Sequence, residues 1–169
     1  RSDRTYYWRV RVRDGRGAES AWSPAKSWST GLFAASDWTA RWIGSDSLYD
    51  ASAGPDCNLS DPWLRKSVRL RKCPARAVMF VASVGYHELY VNGRKAGDHI
   101  LAPAVTDNTR RARYIAYDIA PLLRRGENVL ALWLGTSWSI FEPFWIGDKP
   151  LTPIVLCLLY TSDAADDKA

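Results

Sequence analysis

The chain has 169 residues, of which 47% are hydrophobic and 24% charged, with a formal net charge of +5, a balance that suits one globular domain or one domain with part of another. No apolar run approaches the roughly 20 residues of a membrane span, and the basic residues scatter over many segments. Their clusters are short, such as Arg110, Arg111, Arg113 and Arg124, Arg125, with no nucleic-acid motif beside them, so membrane and nucleic-acid partners are set aside. Cys57, Cys73 and Cys157 have neither CxxC spacing nor His partners, which argues against zinc and leaves a Cys57–Cys73 disulfide open. The chain begins at Arg1, at the start of an apparent strand, and shows neither an initiator Met nor a signal peptide, so the true start is expected upstream and localisation stays unknown.

Nine Trp, eight Tyr and four Phe favour β structure. From Tyr6 to Arg13 the sequence YYWRVRVR alternates, placing Tyr6, Trp8, Val10 and Val12 on one face of a half-buried strand. Asp14–Gly17 (DGRG) supplies a turn, and Lys26–Thr30 reads as a second short strand. These two strands resemble the last pair of a fibronectin type III-like sandwich. Residues 1–32 are taken as this module and 33–37 as a linker. A Trp-rich strand, DWTARWIG, then opens a second module at Trp38.

Residues 45–62 are rich in Ser, Asp, Gly and Pro and read as a long surface loop. Strands are expected at Trp63–Leu70, Ala77–Val84, Glu88–Val91, Arg113–Ile119, Asn128–Gly135 and Pro153–Leu156. Asn92-Gly93 is a hairpin signal, since both residues accept the positive φ of a type I′ turn. Asp118 and Gly126 bracket a short helical turn. From Cys157 onward, CLLYTSDAADD resembles a translated sequencing-adaptor read, so residues 157–169 are set aside as a non-native tail. Residues 158–169 hold three Asp and one Lys, net −2, so the rest of the chain carries +7.

The stretches GYHELYVNGRKAGD (85–98), TDNTRRARYIAYDIAPLLRRGENVLALWLG (106–135) and TSWSIF (136–141) resemble the N-terminal β-domain of bacterial α-L-rhamnosidases, glycoside hydrolases that remove terminal rhamnose. The resemblance implies an all-β chain: a jelly-roll, galactose-binding-like β-sandwich over 38–156, preceded by a partial fibronectin type III-like hairpin. It also implies that the catalytic acids belong to a downstream (α/α)6 barrel that this chain does not reach. The residues agree with that implication. A glycosidase needs two carboxyl groups flanking the scissile bond, and Glu88, Glu127 and Glu142 each read as isolated surface charges. His87 and His99 lack a nucleophile partner, and GRG at Gly15–Gly17 belongs to a hairpin rather than a phosphate loop.

What remains is binding. Adjacent Asp107 and Asn108 offer a carboxylate and an amide, which can bond sugar hydroxyls directly or hold a Ca²⁺ that takes two vicinal hydroxyls. The bland reading is an Asx-stabilised turn. Trp138 and Trp145 can stack on the apolar face of a pyranose beside Ser137, Ser139 and Asp148, or pack on a neighbouring domain. Arg110, Arg111 and Arg113 suit an acidic saccharide, or a solvated strand edge. Two roles follow: recognition of rhamnose-containing oligosaccharide, polysaccharide or glycoside, and a purely structural β-domain packed on the catalytic barrel of the same parent chain.

Overall fold

The computed structural model describes residues 1–44, 61–137 and 154–162. The chain divides into two units, Arg1–Thr39 and Ala40–Ala169.

In the first unit, β1 (Thr5–Trp8) pairs antiparallel with β2 (Lys26–Ser29), and Tyr6 stacks on Trp28 at 5.1 Å. The expected strand to Arg13 stops at Trp8 for a chemical reason. Beyond that point serine hydroxyls replace half of the ladder: Val10 N–H donates to Ser23 Oγ at 3.0 Å and Val12 N–H to Ser20 Oγ at 3.1 Å. The Ser23 and Ser20 amides still reach Val10 and Val12 carbonyls, so the two segments stay apposed without regular strand geometry. The guanidinium groups of Arg9 and Arg11 flank the Trp22 ring at 4.6 and 4.8 Å, a cation–π arrangement that uses the polar face of the alternation. Asp14 closes the turn by accepting from Arg16 and Ala18 N–H. Ala35–Asp37 then makes a single 3-10 turn, stitched by the Asp37 carboxylate, which accepts from the Phe33 and Ala34 amides.

The second unit is a sandwich of two four-stranded sheets. One has the order β3 (Ile43–Gly44), β10 (Ile154–Ser162), β5 (Arg76–Val84), β8 (Arg113–Asp118). The other runs β4 (Trp63–Leu70), β9 (Gly126–Gly135), β6 (Tyr86–Val91), β7 (Arg94–Lys95). All pairings are antiparallel. Alternation dictates the packing: Met79, Val81, Tyr117 and Val155 from the first sheet meet Leu89, Val91, Leu130, Leu132 and Leu134 from the second in one buried cluster. β5 is central and is buried on its far face as well, through Phe80, Ala82 and Val84. At one edge the sheets leave an apolar cavity of about 310 Å³ lined by Leu64, Met79, Leu132, Cys157 and Leu159, and burial pushes the Cys157 thiol up to about 12.

Several expectations shift. Of the leading strand expected over Trp38–Gly44, only Ile43–Gly44 forms strand, and Trp38 follows the 3-10 turn. β10 runs through Cys157–Ser162, part of the segment set aside as tail, because Val155, Cys157 and Leu159 fall on the inward phase and the strand pairs with β5 over nine residues. The Cys57–Cys73 disulfide does not form, since Cys73 is an exposed free thiol; Cys57 lies outside the described residues. The Asn92-Gly93 turn is present, with φ of 52° and 80°. Asn92 also caps the far end of the sandwich: its amide donates to Leu122 O and to Asn128 Oδ1, and its own oxygen accepts from Val129 N–H. Asn128 is fully buried, and every polar atom of its side chain is bonded, to Arg124, Gly126 and Asn92. The helical turn is Ala120–Leu122, with Asp118 accepting from Ala120 N–H at 3.1 Å.

The chain passes from one sheet to the other between β5 and β6 through one residue, Gly85, at φ +90°. A Cβ there would lie 2.2 Å from the Gly135 carbonyl oxygen at the end of β9. The corner therefore requires glycine twice, for its dihedral and for the close approach of backbone. Gly85→Ala is expected to destabilise the sandwich by about 3 kcal/mol or more, since the conformation alone costs of order 1–3 kcal/mol. Urea unfolding of the two proteins measures this, and an unchanged midpoint would show that the corner relaxes.

Candidate functional site

The Gly85 corner gathers loops that are distant in sequence. Ser83 and Arg113, paired across β5 and β8, join Gly85, Pro103, Thr106, Asn108 and Ser137 around a shallow recess. Its free volume is about 10 Å³, the scale of one water molecule, so a sugar ring would lie across its mouth. Two backbones around the corner are held at positive φ without being glycine, Leu101 and Ser137, both at 51°, a conformation that costs energy and concentrates at ligand-handling positions.

Of the residues singled out in sequence, Asn108 lines this recess, and so does Ser137, the residue before Trp138. Topology thus brings the Asp107–Asn108 loop and the start of the TSWSIF segment to one rim. Trp138 and Trp145 themselves lie outside the described residues. Asp107 makes the turn expected of it: its Oδ1 accepts from Thr109 N–H at 3.1 Å and from the Thr109 hydroxyl, its Oδ2 pairs with Arg110 at 3.4 Å, and its carbonyl accepts from the Arg110 and Arg111 amides. The Thr109 hydroxyl and amide, with the Arg110 and Arg111 charges, hold its carboxyl below the usual range. Arg111 is tied to Thr106 Oγ1 at 3.1 Å.

For calcium the fit is partial. Asp107 and Asn108 supply two hard oxygen donors of the six to eight such an ion takes, and Arg110 sits where a second cation would compete. Among the described residues no three His, Cys, Asp or Glu side chains converge on one point. The remaining ligands would therefore be backbone carbonyls, water and the hydroxyls of the sugar.

Behind the rim runs a buried polar chain. Ser83 Oγ donates to Gly85 O at 2.9 Å and so accepts from His87 Nδ1, 2.7 Å away; His87 Nε2 then accepts from Tyr117 O–H at 3.1 Å. His87 is 3% exposed. Burial, with the nearby His99 charge, drops its pKa from 6.5 to about 4, which fixes a neutral Nδ1–H imidazole. This is a structural role, in keeping with a histidine that lacks a nucleophile partner. His99 lies edge-on to Tyr117 at 5.6 Å.

On the other side of the Gly85 corner lies a larger recess, of about 200 Å³, lined by Asp61, Tyr86, Glu88, Leu101 and Trp133. Sequence reading assigned nothing to Trp133 or to its partner Trp63. The signal lay in the phase of β9, where Asn128, Leu130, Leu132 and Leu134 are the buried positions. Trp133 falls with Glu127 and Ala131 on the outward set. Glu88 is no free acid: Lys95 Nζ and the Tyr90 hydroxyl bond it, and both keep it ionised.

The second unit, an antiparallel β-sandwich with a shallow recess at one corner, and the first, a strand pair with Arg–Trp and Tyr–Trp contacts, define an all-β class. Comparison with known proteins makes the class specific. Residues 72–149 match the α-L-rhamnosidase N-terminal domain, and residues 1–34 match the Rha78A-like N-terminal immunoglobulin domain. An α-L-rhamnosidase of Formosa agariphila is 32% identical over 158 residues, spanning 85% of this chain and 17% of its own. A second from the same organism is 26% identical over 96% of this chain and 18% of its own. Two solved structures share the fold over 98% of this chain and 19% of theirs: the α-L-rhamnosidase from Dictyoglumus thermophilum (TM-score 0.80, 29% identity) and that from Aspergillus terreus (0.83, 26%). The chain thus spans less than a fifth of the length of these relatives. It belongs to the N-terminal domain region of the α-L-rhamnosidases, a glycoside hydrolase family. The immunoglobulin match covers the segment read as fibronectin type III-like, and the two sandwich types share their architecture.

The His87 chain yields a pH prediction. The unfolded imidazole takes its proton near 6.5 and the folded one at about 4, so between those values the unfolded state binds more protons. Stability therefore falls as pH drops from about 6.5 to 4, by up to about 3 kcal/mol from this group. Urea midpoints of the chain and of His87→Gln at pH 7, 5 and 4 measure it. The variant is expected to lose much of the slope; equal slopes would show that His87 is not the group responsible.

Proposed function

We propose that this chain is a non-catalytic substrate-recognition region of an α-L-rhamnosidase, binding rhamnose-containing saccharide at the rim formed by Asn108, Arg113, Ser137 and the adjacent Asp107. The observation that carries this reading is the convergence of Asn108 and Ser137 on one recess from loops nearly thirty residues apart. It places amide, hydroxyl and guanidinium groups around one shallow mouth, with the Asp107 carboxylate on the neighbouring turn. Such groups match the vicinal hydroxyls of a deoxyhexose, and Ca²⁺ held by Asp107 and Asn108 would add a further link. Trp138 and Trp145 would supply stacking. Weak contacts of this kind raise the local concentration of substrate for a catalytic barrel on the same parent chain.

The small free volume of the recess and the bonds already made by Asp107 favour a second reading, a structural β-domain that packs on the barrel and binds no sugar. Calorimetric titration of L-rhamnose into the chain, with millimolar calcium and with chelator, separates the two. Saturable binding is expected, weakened at least about tenfold in an Asp107→Ala, Asn108→Ala double variant, the loss of one or two hydrogen bonds to a charged or amide partner. Calcium dependence would assign the ion to the site. No heat of binding in a folded sample would support the structural reading.

A further inference from the structure

The outer face of the second sheet holds an aromatic platform at register positions set by the ladder. Trp63 pairs with Trp133, which pairs with Glu88, while Ala131, Tyr90 and Lys95 occupy the next row. The two indoles stack at 5.2 Å and 8°, and Tyr90 adjoins Trp63 at 5.3 Å. Trp63 is 54% exposed and Trp133 39%. Single exposed apolar residues are ordinary, but two parallel, stacked indoles beside a polar recess leave exposed aromatic surface of the kind a pyranose ring covers with its C–H face.

The recess next to Trp133 fits such a ligand. Its 200 Å³ is below the roughly 300–1,000 Å³ of sites for drug-sized molecules, the scale of one sugar ring. Asp61 and Glu88 bring carboxylates to its wall. Lys95 and the Tyr90 hydroxyl hold Glu88 in place, so it presents acceptor oxygens to hydroxyl donors and opposes an acidic sugar.

The two recesses are neighbours. Gly85 and Pro103 line the rim recess, whereas Tyr86 and Ala102 line the larger one. The ridge between them is pinned by the His87 N–H bond to Ala102 O at 2.8 Å. We propose that Trp63, Trp133 and the recess bounded by Asp61, Tyr86 and Glu88 form a second saccharide subsite, taking a neutral pyranose ring of an oligosaccharide whose end residue lies at the Asn108–Ser137 rim. The position of that end rests on the proposed rim function; the aromatic subsite stands on its own residues.

The test compares L-rhamnose with the neutral disaccharide rhamnosyl-(α1→6)-glucose, titrated into the 169-residue chain, into Trp133→Ala and into the Asp107→Ala, Asn108→Ala variant, each checked for an unchanged melting curve. The disaccharide is expected to bind about tenfold more tightly than the monosaccharide, as a ring stacked on indole would give. Trp133→Ala should erase that advantage and leave L-rhamnose affinity unchanged. Trp133→Phe should restore part of it. Should Trp133→Ala fail to fold, Glu88→Gln serves in its place, with the same loss confined to the disaccharide. Disaccharide binding that is lost in Trp133→Ala, with no L-rhamnose binding by any protein, would sink the rim reading and keep the subsite. Equal affinities for the two sugars in the unaltered chain, or equal losses for both in Trp133→Ala, would overturn the subsite.

Discussion

The second unit depends on one crossing, the passage of the chain from sheet to sheet through Gly85. Every other transfer between the two sheets uses a longer connection. Here a single residue turns β5 into β6, and it can do so only because its missing side chain lets its backbone lie against the Gly135 carbonyl. Ser83, two residues before, and His87, two residues after, lock the crossing from inside through hydrogen bonds that end on Gly85 O and Tyr117. The same geometry that closes the core also sets Ser83 and Gly85 on one recess and Tyr86 and Glu88 on the other. Packing and candidate binding are consequences of one corner.

Much of the fold was legible because its causes are local. Alternation in Gly126–Gly135 sets Leu130, Leu132 and Leu134 on one inward phase, and Asn92-Gly93 can hardly be anything but a tight turn. Other features depend on partners that a linear reading cannot supply. The first unit's strand breaks at Trp8 because Ser20 and Ser23 intercept its amides, and a serine gives no warning of which backbone its hydroxyl will meet. β10 extends past Leu156 because it pairs with β5 over nine residues while Cys157 and Leu159 pack against the core; read alone, that segment showed only a foreign-looking composition. Asn128 looked like a strand-start polar residue, yet it sits fully buried as the hub of the turn network around Asn92 and Gly126.

The candidate site divides in the same way. Asp107 and Asn108 stood out as adjacent oxygen donors in a turn, and the turn formed as its chemistry demands. That Asn108 would share a recess with Ser137 and Gly85 follows from strand order, which no spacing in the sequence reveals. Trp63 and Trp133 went unassigned for a different reason. A tryptophan in a strand is ordinarily core, and only the buried phase of β9 shows that Trp133 points outward. The ion pair of Glu88 with Lys95 similarly turns an isolated acid into a fixed acceptor beside an aromatic surface.

Backbone amide and indole resonances of the isotope-labelled chain, followed as rhamnosyl-(α1→6)-glucose is added, test most directly whether the Gly85 corner organises saccharide recognition. The account predicts shifts confined to the two recesses and their shared ridge: Gly85–Glu88, Ala102–Asn108, Ser137 and the Trp133 indole. Shifts that stay absent at high sugar, or that cluster instead on the Arg9–Trp22 surface of the first unit, would contradict it.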